Sequence, residues 1–258
     1  MKTVCVFAGS SRGVSPAYAE AARELGREIA KRNLRMVYGG GNVGLMGECA
    51  HAAQEGGSEV VGVIPERLMP KEVSGQTVGD IRVVKDMHER KALMAKLSDG
   101  FICLPGGWGT LEEAFEMITW QQLGYHNKPI GLLNIDNYYE GLSQFIAHAC
   151  SQGFIRETHR DIMLVESTPS GLLTTLAEYE APEDIVTMIR TESMKKDDEM
   201  EVEREQALAA LSEEDLARAH RLLDAYESSE KPAVTAAAAG AAAPAKAAAA
   251  IEAAVAKN

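Results

Sequence analysis

Two stretches carry the residue types that chemistry needs. At 105–110 the run PGGWGT follows the apolar stretch GFICL and leads into TLEEAFEMITWQQLG, so a glycine-rich turn stands between a strand and a helix. Such a turn presents unpaired backbone N–H groups, and the helix dipole adds partial positive charge, so an anion such as phosphate binds there without a lysine. Gly106, Gly107 and Gly109 remove the side chains that would block it, and Thr110 adds a hydroxyl donor. The same residues support a purely structural reading, because Thr110-Leu111-Glu112-Glu113 has the spacing of a capping box, in which Glu113 folds back on the Thr110 amide. Glu113, Met117 and Trp120 fall on one helical face, which sets a carboxylate beside a large apolar surface, a costly place unless it is paired or used.

The second stretch is MHERKALM at 87–94, where Met87, Arg90, Lys91 and Met94 share a face at helical spacing. Two cations among apolar neighbours are either a helix edge whose charges reach out to water or the positive charge that an acidic protein needs to hold a nucleotide phosphate or sugar. His88 reads as a surface residue. A third run, GGGNVG at 39–44, fits G-x-G-x-x-G and raises a dinucleotide-binding oxidoreductase as an alternative. That motif normally follows the first strand and has an acidic ribose partner about twenty residues on. Here it follows the second strand, and EVVGVI ends in Pro65 before Glu66. The six histidines show no ligand spacing, and the four cysteines are scattered in neither a disulfide nor a zinc pattern. No metal site, nucleophilic triad or cofactor is expected.

These residues need a scaffold. Residues 3–180 alternate short β-branched runs (VCVF, RMVY, EVVGVI, IRVV, GFICL, PIGLL, IMLV) with amphipathic stretches, a rhythm that predicts an α/β fold with a doubly wound, mainly parallel sheet of about seven strands, Rossmann-like, with helices on both faces. Ligands in such folds sit at the carboxyl ends of the strands, where the turns GSSRG, GGGNVG and PGGWGT all fall. Their convergence is expected to make the site, with Ser10, Gly40 and Gly44 as contacts.

The 258 residues carry a formal charge of -12, which disfavours nucleic acid and anionic membranes as partners. From 181 onward 16 acidic residues stand against 9 basic ones. The expected organisation is a catalytic domain at 1–180, an acidic, partly helical extension at 181–230 with a capping box at Ser212–Asp215, and an alanine-rich tail at 231–258 too poor in apolar area to order. The opening MKTVCVFAGSS reads as a buried strand rather than a signal peptide, and a reducing, cytoplasmic compartment fits the cysteines.

GGGNVGLMG, MHERKALM, LPGGWGTLEE and ITWQQLGYHNKPIGLLN, in this order and spacing, resemble the LOG (LONELY GUY) family of cytokinin-activating phosphoribohydrolases across roughly residues 3–180. The resemblance implies hydrolysis of the N-glycosidic bond of N6-modified adenosine 5'-monophosphates to the free base and ribose 5-phosphate by a homodimer or larger oligomer. It implies Arg90 and Glu113 as catalytic residues, Lys91, Gly107, Trp108, Gly109 and Thr110 as substrate contacts with Leu111 and Glu112 beside them, and Glu72 and Thr119 as further contacts. A lysine decarboxylase label, borne by many such proteins, fits badly, since no pyridoxal-phosphate lysine context is present. The rival reading is a non-catalytic nucleotide or cofactor carrier of the same fold. Trp108, Asn42 and the long tail depart from the family pattern.

Overall fold

The computed structural model describes residues 1–69, 78–209, 212, 213, 217 and 221. By contacts the chain divides after Val186 into two units. The first holds seven parallel strands: β1 (Thr3–Phe7), β2 (Arg35–Tyr38), β3 (Val60–Pro65), β4 (Asp80–Val84), β5 (Gly100–Cys103), β6 (Ile130–Leu133) and β7 (Met163–Glu166). Their order is β4-β3-β2-β1-β5-β6-β7, so the chain reverses its direction of travel across the sheet between β1 and β5. That reversal is where a crevice opens at the carboxyl ends of a doubly wound sheet. The helices are α1 (Pro16–Lys31), α2 (Gly44–Glu55), α3 (Met87–Leu97), α4 (Trp108–Gln122), α5 (Glu140–Ser151), α6 (Glu157–Arg160) and α7 (Pro169–Glu178).

The strands read as continuous apolar runs because both faces are covered. Val4, Val6, Met36, Tyr38 and Ile102 pack with α1, α2 and α7, while their neighbours Cys5, Phe7, Val37, Phe101 and Cys103 pack with α3 and α4 on the opposite face. The period-two alternation of a strand thus divides one run between two cores. α1 starts where Ser15 accepts the Ala17 amide (3.3 Å), with Pro16 pre-set for the first helical position. It lies so close to α2 that a side chain at Gly26 would run into Cys49 and Ala52.

The three glycine turns meet at one residue. Gly9 donates its N–H to the Pro105 carbonyl (3.1 Å), and its own carbonyl accepts from the amides of Leu45 (3.0 Å) and Met46 (3.4 Å). The turns therefore touch backbone on backbone. A Cβ at Gly44, whose φ is +65, would overlap the Ser10–Ser11 peptide, and one at Gly106 would stand 2.9 Å from the Gly9 nitrogen.

The second unit begins at Thr187, within α8 (Ile185–Ala209), which exposes Met194, Met200 and Val202. This helix begins at Ile185, near the start of the extension expected at 181–230. Glu214 and Asp215 of the expected capping box at Ser212–Asp215, and the tail at 231–258, lie outside the described residues. Among the described residues no helix is long and apolar enough to cross a membrane.

Since L side chains are strained at the φ of Gly44 and the space beside it holds backbone, Gly44→Ala is expected to lower unfolding stability by about 2 kcal/mol or more, read as a lower urea midpoint at unchanged slope. A midpoint equal to wild type would contradict the three-turn contact.

Candidate active site

α3 carries the two cations and is fixed at its start. Asp86 caps it by accepting the Glu89 amide (2.9 Å), and Glu89 reaches back to the Lys85 amide (2.8 Å). Arg90 and Lys91 then point inward and are buried, at 7% and 8% exposure. The edge-of-helix alternative is thereby set aside, since neither charge reaches out to water. Arg90 Nη2 donates to the Gly39 carbonyl (3.1 Å) at the end of β2, and a Cβ on Gly39 would overlap the guanidinium. The first glycine of GGGNVG is therefore the seat of an arginine. Gly40 (φ +80) and Gly44 make the turn, and the Leu45 and Met46 amides at the start of α2 are taken by Gly9. The dinucleotide reading loses its basis here, because those are the amides that would hold a pyrophosphate.

α4 begins differently. Its N-cap is Gly107, with no side-chain cap, and its first helical hydrogen bond runs from the Leu111 amide to Gly107 O (3.1 Å). The capping-box reading of Thr110 and Glu113 is therefore corrected: the N-cap stands three residues before Thr110, which sits inside the first turn. A Cβ on Gly107 or Gly109 would meet nothing within 4 Å, whereas Thr110 is buried against Gly106. The first-turn amides, aligned with the helix dipole, have no side-chain cap, and Gly107 and Gly109 put no side chain beside them. A helix start of this kind can seat an anion.

Glu113, one turn along, is 8% exposed and 3.9 Å from Arg90 Nη2 through its Oε1. Below the pair lie Cys5 and Cys103, whose thiols are pushed up by burial and further by the Glu113 charge, so both stay protonated and neutral. Lys91 bonds Glu112 and reaches Glu116 Oε1 at 3.0 Å. Burial works against the Lys91 charge, but these two carboxylates outweigh it and lift its pKa above the ordinary lysine value. Arg90 Nε and Glu116 Oε2 are buried without a hydrogen-bond partner. Charged groups held in this way cost several kcal/mol of desolvation that an apolar substitute avoids, so the cluster is poorly explained by stability. Orphaned donors at a buried arginine point to a ligand.

A groove of about 930 Å³ lies beside this cluster, lined by Ser10, Asn42, Gly44, Arg12, Arg23, Arg27 and Glu48, but by neither Arg90 nor Glu113. Its arginines are already committed: Arg12 and Arg23 (2.7 Å) pair with Glu48, and Arg23 (2.9 Å) and Arg27 (2.7 Å) with Glu20. The arginines lining this groove are thus matched by carboxylates, whereas the buried cluster keeps Arg90 Nε without a partner.

The structure thus brings together Arg90, Lys91, Glu112, Glu113 and the 107–110 turn, with Ser10, Gly40 and Gly44 in the adjoining turns. Leu111 packs into the apolar cluster of α4, and Trp108 stands 89% exposed at its first helical position. Thr119 lies on the exposed face of α4, where its hydroxyl is bound to the Phe115 carbonyl (2.7 Å). Glu72 lies outside the described residues. The sequence reading missed Gly39 as the acceptor for Arg90, Glu116 as the second partner of Lys91, and Tyr138 and Tyr139, which donate to Gly106 O (2.5 Å) and Leu104 O (2.6 Å). For Glu116 the i+4 spacing from Glu112 was a usable signal. For the tyrosines there was none.

A family model described as "Possible lysine decarboxylase" matches residues 46–176. The chain is 55% identical over 178 residues to the probable cytokinin riboside 5'-monophosphate phosphoribohydrolase LOGL2 of Oryza sativa subsp. japonica, covering 69% of this chain and 73% of that protein. It is 53% identical over 178 residues to the cytokinin riboside 5'-monophosphate phosphoribohydrolase LOG3 of Arabidopsis thaliana, covering 69% and 83%. Among solved structures, the Moco carrier protein of Chlamydomonas reinhardtii superposes with a TM-score of 0.52 at 20% identity, over 69% of this chain and 96% of that one. The molybdenum cofactor binding protein of Rippkaea orientalis gives 0.51 at 22% over the same shares. At these identities the likeness shows the shared fold alone.

Because the folded pKa of Lys91 lies above its unfolded value of about 10.4, the stability it contributes is fully present below that pH and is lost as the pH rises through the folded value. The difference in urea midpoint between wild type and Lys91→Met is expected to hold constant from about pH 7 to 9 and to shift against wild type only above about pH 10.5. A difference that persists unchanged beyond the titration of free lysine would remove the pairing with Glu112 and Glu116 as its source.

Proposed function

Because the chain belongs to the LOG family of cytokinin riboside 5'-monophosphate phosphoribohydrolases, we propose that it hydrolyses the N-glycosidic bond of N6-modified adenosine 5'-monophosphates at the Arg90–Glu113 site. The observation that carries the site assignment is the buried Arg90–Glu113 pair beside the uncapped start of α4. The 5'-phosphate is held by the first-turn amides of α4, with Gly107 and Gly109 allowing its approach and Lys91 adding charge. Arg90, with its orphaned Nε, anchors ribose hydroxyls or phosphate.

The reaction adds water across the bond between C1' of the ribose and N9 of the base. The bond breaks with its electron pair going to the base, so positive charge develops on the ribose as an oxocarbenium-like state. A carboxylate beside C1' stabilises that charge and takes a proton from the attacking water, as in O-glycosidases. Glu113 fills this role. The water oxygen remains on C1' as ribose 5-phosphate, and the base leaves having gained a proton. Neutral Cys5 and Cys103 beneath Glu113 add no competing negative charge.

The same reading includes a homodimer in the cytoplasm. It is supported by part-exposed apolar side chains on α4, Phe115 and Leu123 next to its end, which a second copy would cover.

The test incubates the protein with isopentenyladenosine 5'-monophosphate and, separately, AMP, and follows free base and ribose 5-phosphate by mass spectrometry. Release from the prenylated nucleotide is expected, with Glu113→Gln and Arg90→Ala each lowering turnover about a hundredfold or more. Turnover like wild type in either variant would sink that residue's assignment, and nucleotide binding without cleavage would replace the enzyme by the carrier.

A further inference from the structure

The turn that presents the α4 amides is held from behind by a segment the reaction does not otherwise use. After β6 the chain passes through Asp136 (φ 50) and Asn137 (φ 58), two successive left-handed residues. This conformation costs an L residue roughly 1–2 kcal/mol and is best tolerated by Asp and Asn. Such strain persists only where surrounding contacts fix it, and they do so here. The Asp136 carboxylate accepts from Ser15 Oγ (2.9 Å), and Asn134 Oδ1 accepts the Tyr139 amide (2.7 Å). The result aims two adjacent hydroxyls at two carbonyls on either side of Pro105: Tyr139 donates to Leu104 O (2.6 Å) and Tyr138 to Gly106 O (2.5 Å). Tyr139 is buried. Tyr138 is 44% exposed, its ring set edge-on between Tyr139 (4.9 Å) and Tyr18 (5.9 Å).

In a trans peptide the carbonyl of one residue and the N–H of the next point in opposite directions within one plane. Holding Gly106 O on the tyrosine side therefore sends the Gly107 N–H the other way. A peptide between two glycines has no side chain to restrain it, so without an external hold this plane turns more readily than its neighbours. We propose that Tyr138 is a positioning residue that fixes the Gly106–Gly107 peptide, so that the Gly107 amide joins the first-turn amides of α4 on the substrate phosphate. The inference rests on the phosphate placement of the functional reading above and adds to it a residue that touches no substrate.

Tyr138→Phe removes the donor and keeps the ring contacts with Tyr18 and Tyr139. Compared with wild type, KM for isopentenyladenosine 5'-monophosphate is expected to rise about tenfold with kcat within about twofold, the loss of one hydrogen bond's worth of binding. The Kd of ribose 5-phosphate is expected to weaken by the same factor, while that of adenosine, which lacks the phosphate, stays unchanged. Constants within about twofold of wild type overturn the inference, as does a parallel loss of adenosine binding, which marks general loosening. If wild type itself cleaves no nucleotide, the functional reading fails separately, and the hold on the turn is then read by ¹⁵N relaxation dispersion in the free protein. Microsecond-to-millisecond exchange at Gly107 and Gly109 in the variant alone keeps the positioning role, and flat profiles in both proteins overturn it.

Discussion

The site depends on three turns meeting through backbone atoms at Gly9. Its N–H and C=O together bind the β5–α4 turn to the start of α2, and the absence of side chains at Gly44 and Gly106 lets the peptides close to hydrogen-bonding distance. From this contact follows a division of labour between two helix starts that look alike in the sequence. α2 gives its first free amides to Gly9 and becomes structural. α4 has no side-chain cap at its start, which leaves its first amides available to an anion. The switch in strand order between β1 and β5 is what brings the two starts side by side.

Upon that frame the chain buries charge at a cost to folding. Arg90, Lys91 and Glu113 are all less than a tenth exposed, and the contacts among them do not satisfy every polar atom. A cluster selected for stability would be apolar or fully paired. This one keeps an arginine donor unspent beside a carboxylate over neutral thiols, an arrangement prepared for charge that arrives with a substrate and develops during bond cleavage.

Much of the fold was legible because a strand buried on both faces leaves a run such as VCVF or GFIC, and the alternation of such runs with amphipathic stretches allows few topologies. The buried charged pair was legible too, since Glu113 beside Met117 and Arg90 beside Met94 place charge where helix periodicity expects apolar side chains. What escaped was set by contacts between distant segments. Gly39 looked like part of a nucleotide fingerprint, yet it is glycine because Arg90, 51 residues on, occupies the space of its side chain. Thr110 and Glu113 have the spacing of a cap, but Gly106 and Gly107 let the helix begin earlier, and spacing cannot register where a turn ends. Tyr138 bonds a carbonyl 32 residues away, and hydroxyl-to-backbone bonds of that kind impose no periodicity.

The pairing of Arg12, Arg23 and Arg27 with Glu20 and Glu48 also shapes the kinetics of encounter. Cations tied to carboxylates cast little field beyond the surface, and the whole chain bears a charge of -12. Beyond about a Debye length, some 8 Å at physiological ionic strength, screening leaves an approaching nucleotide dianion with little pull from the α4 amides and Arg90. Capture is not steered, in contrast to proteins that draw phosphates in along a basic funnel. Discrimination between one nucleotide and another accordingly resides in how long each stays once seated, and the rate of arrival depends little on added salt.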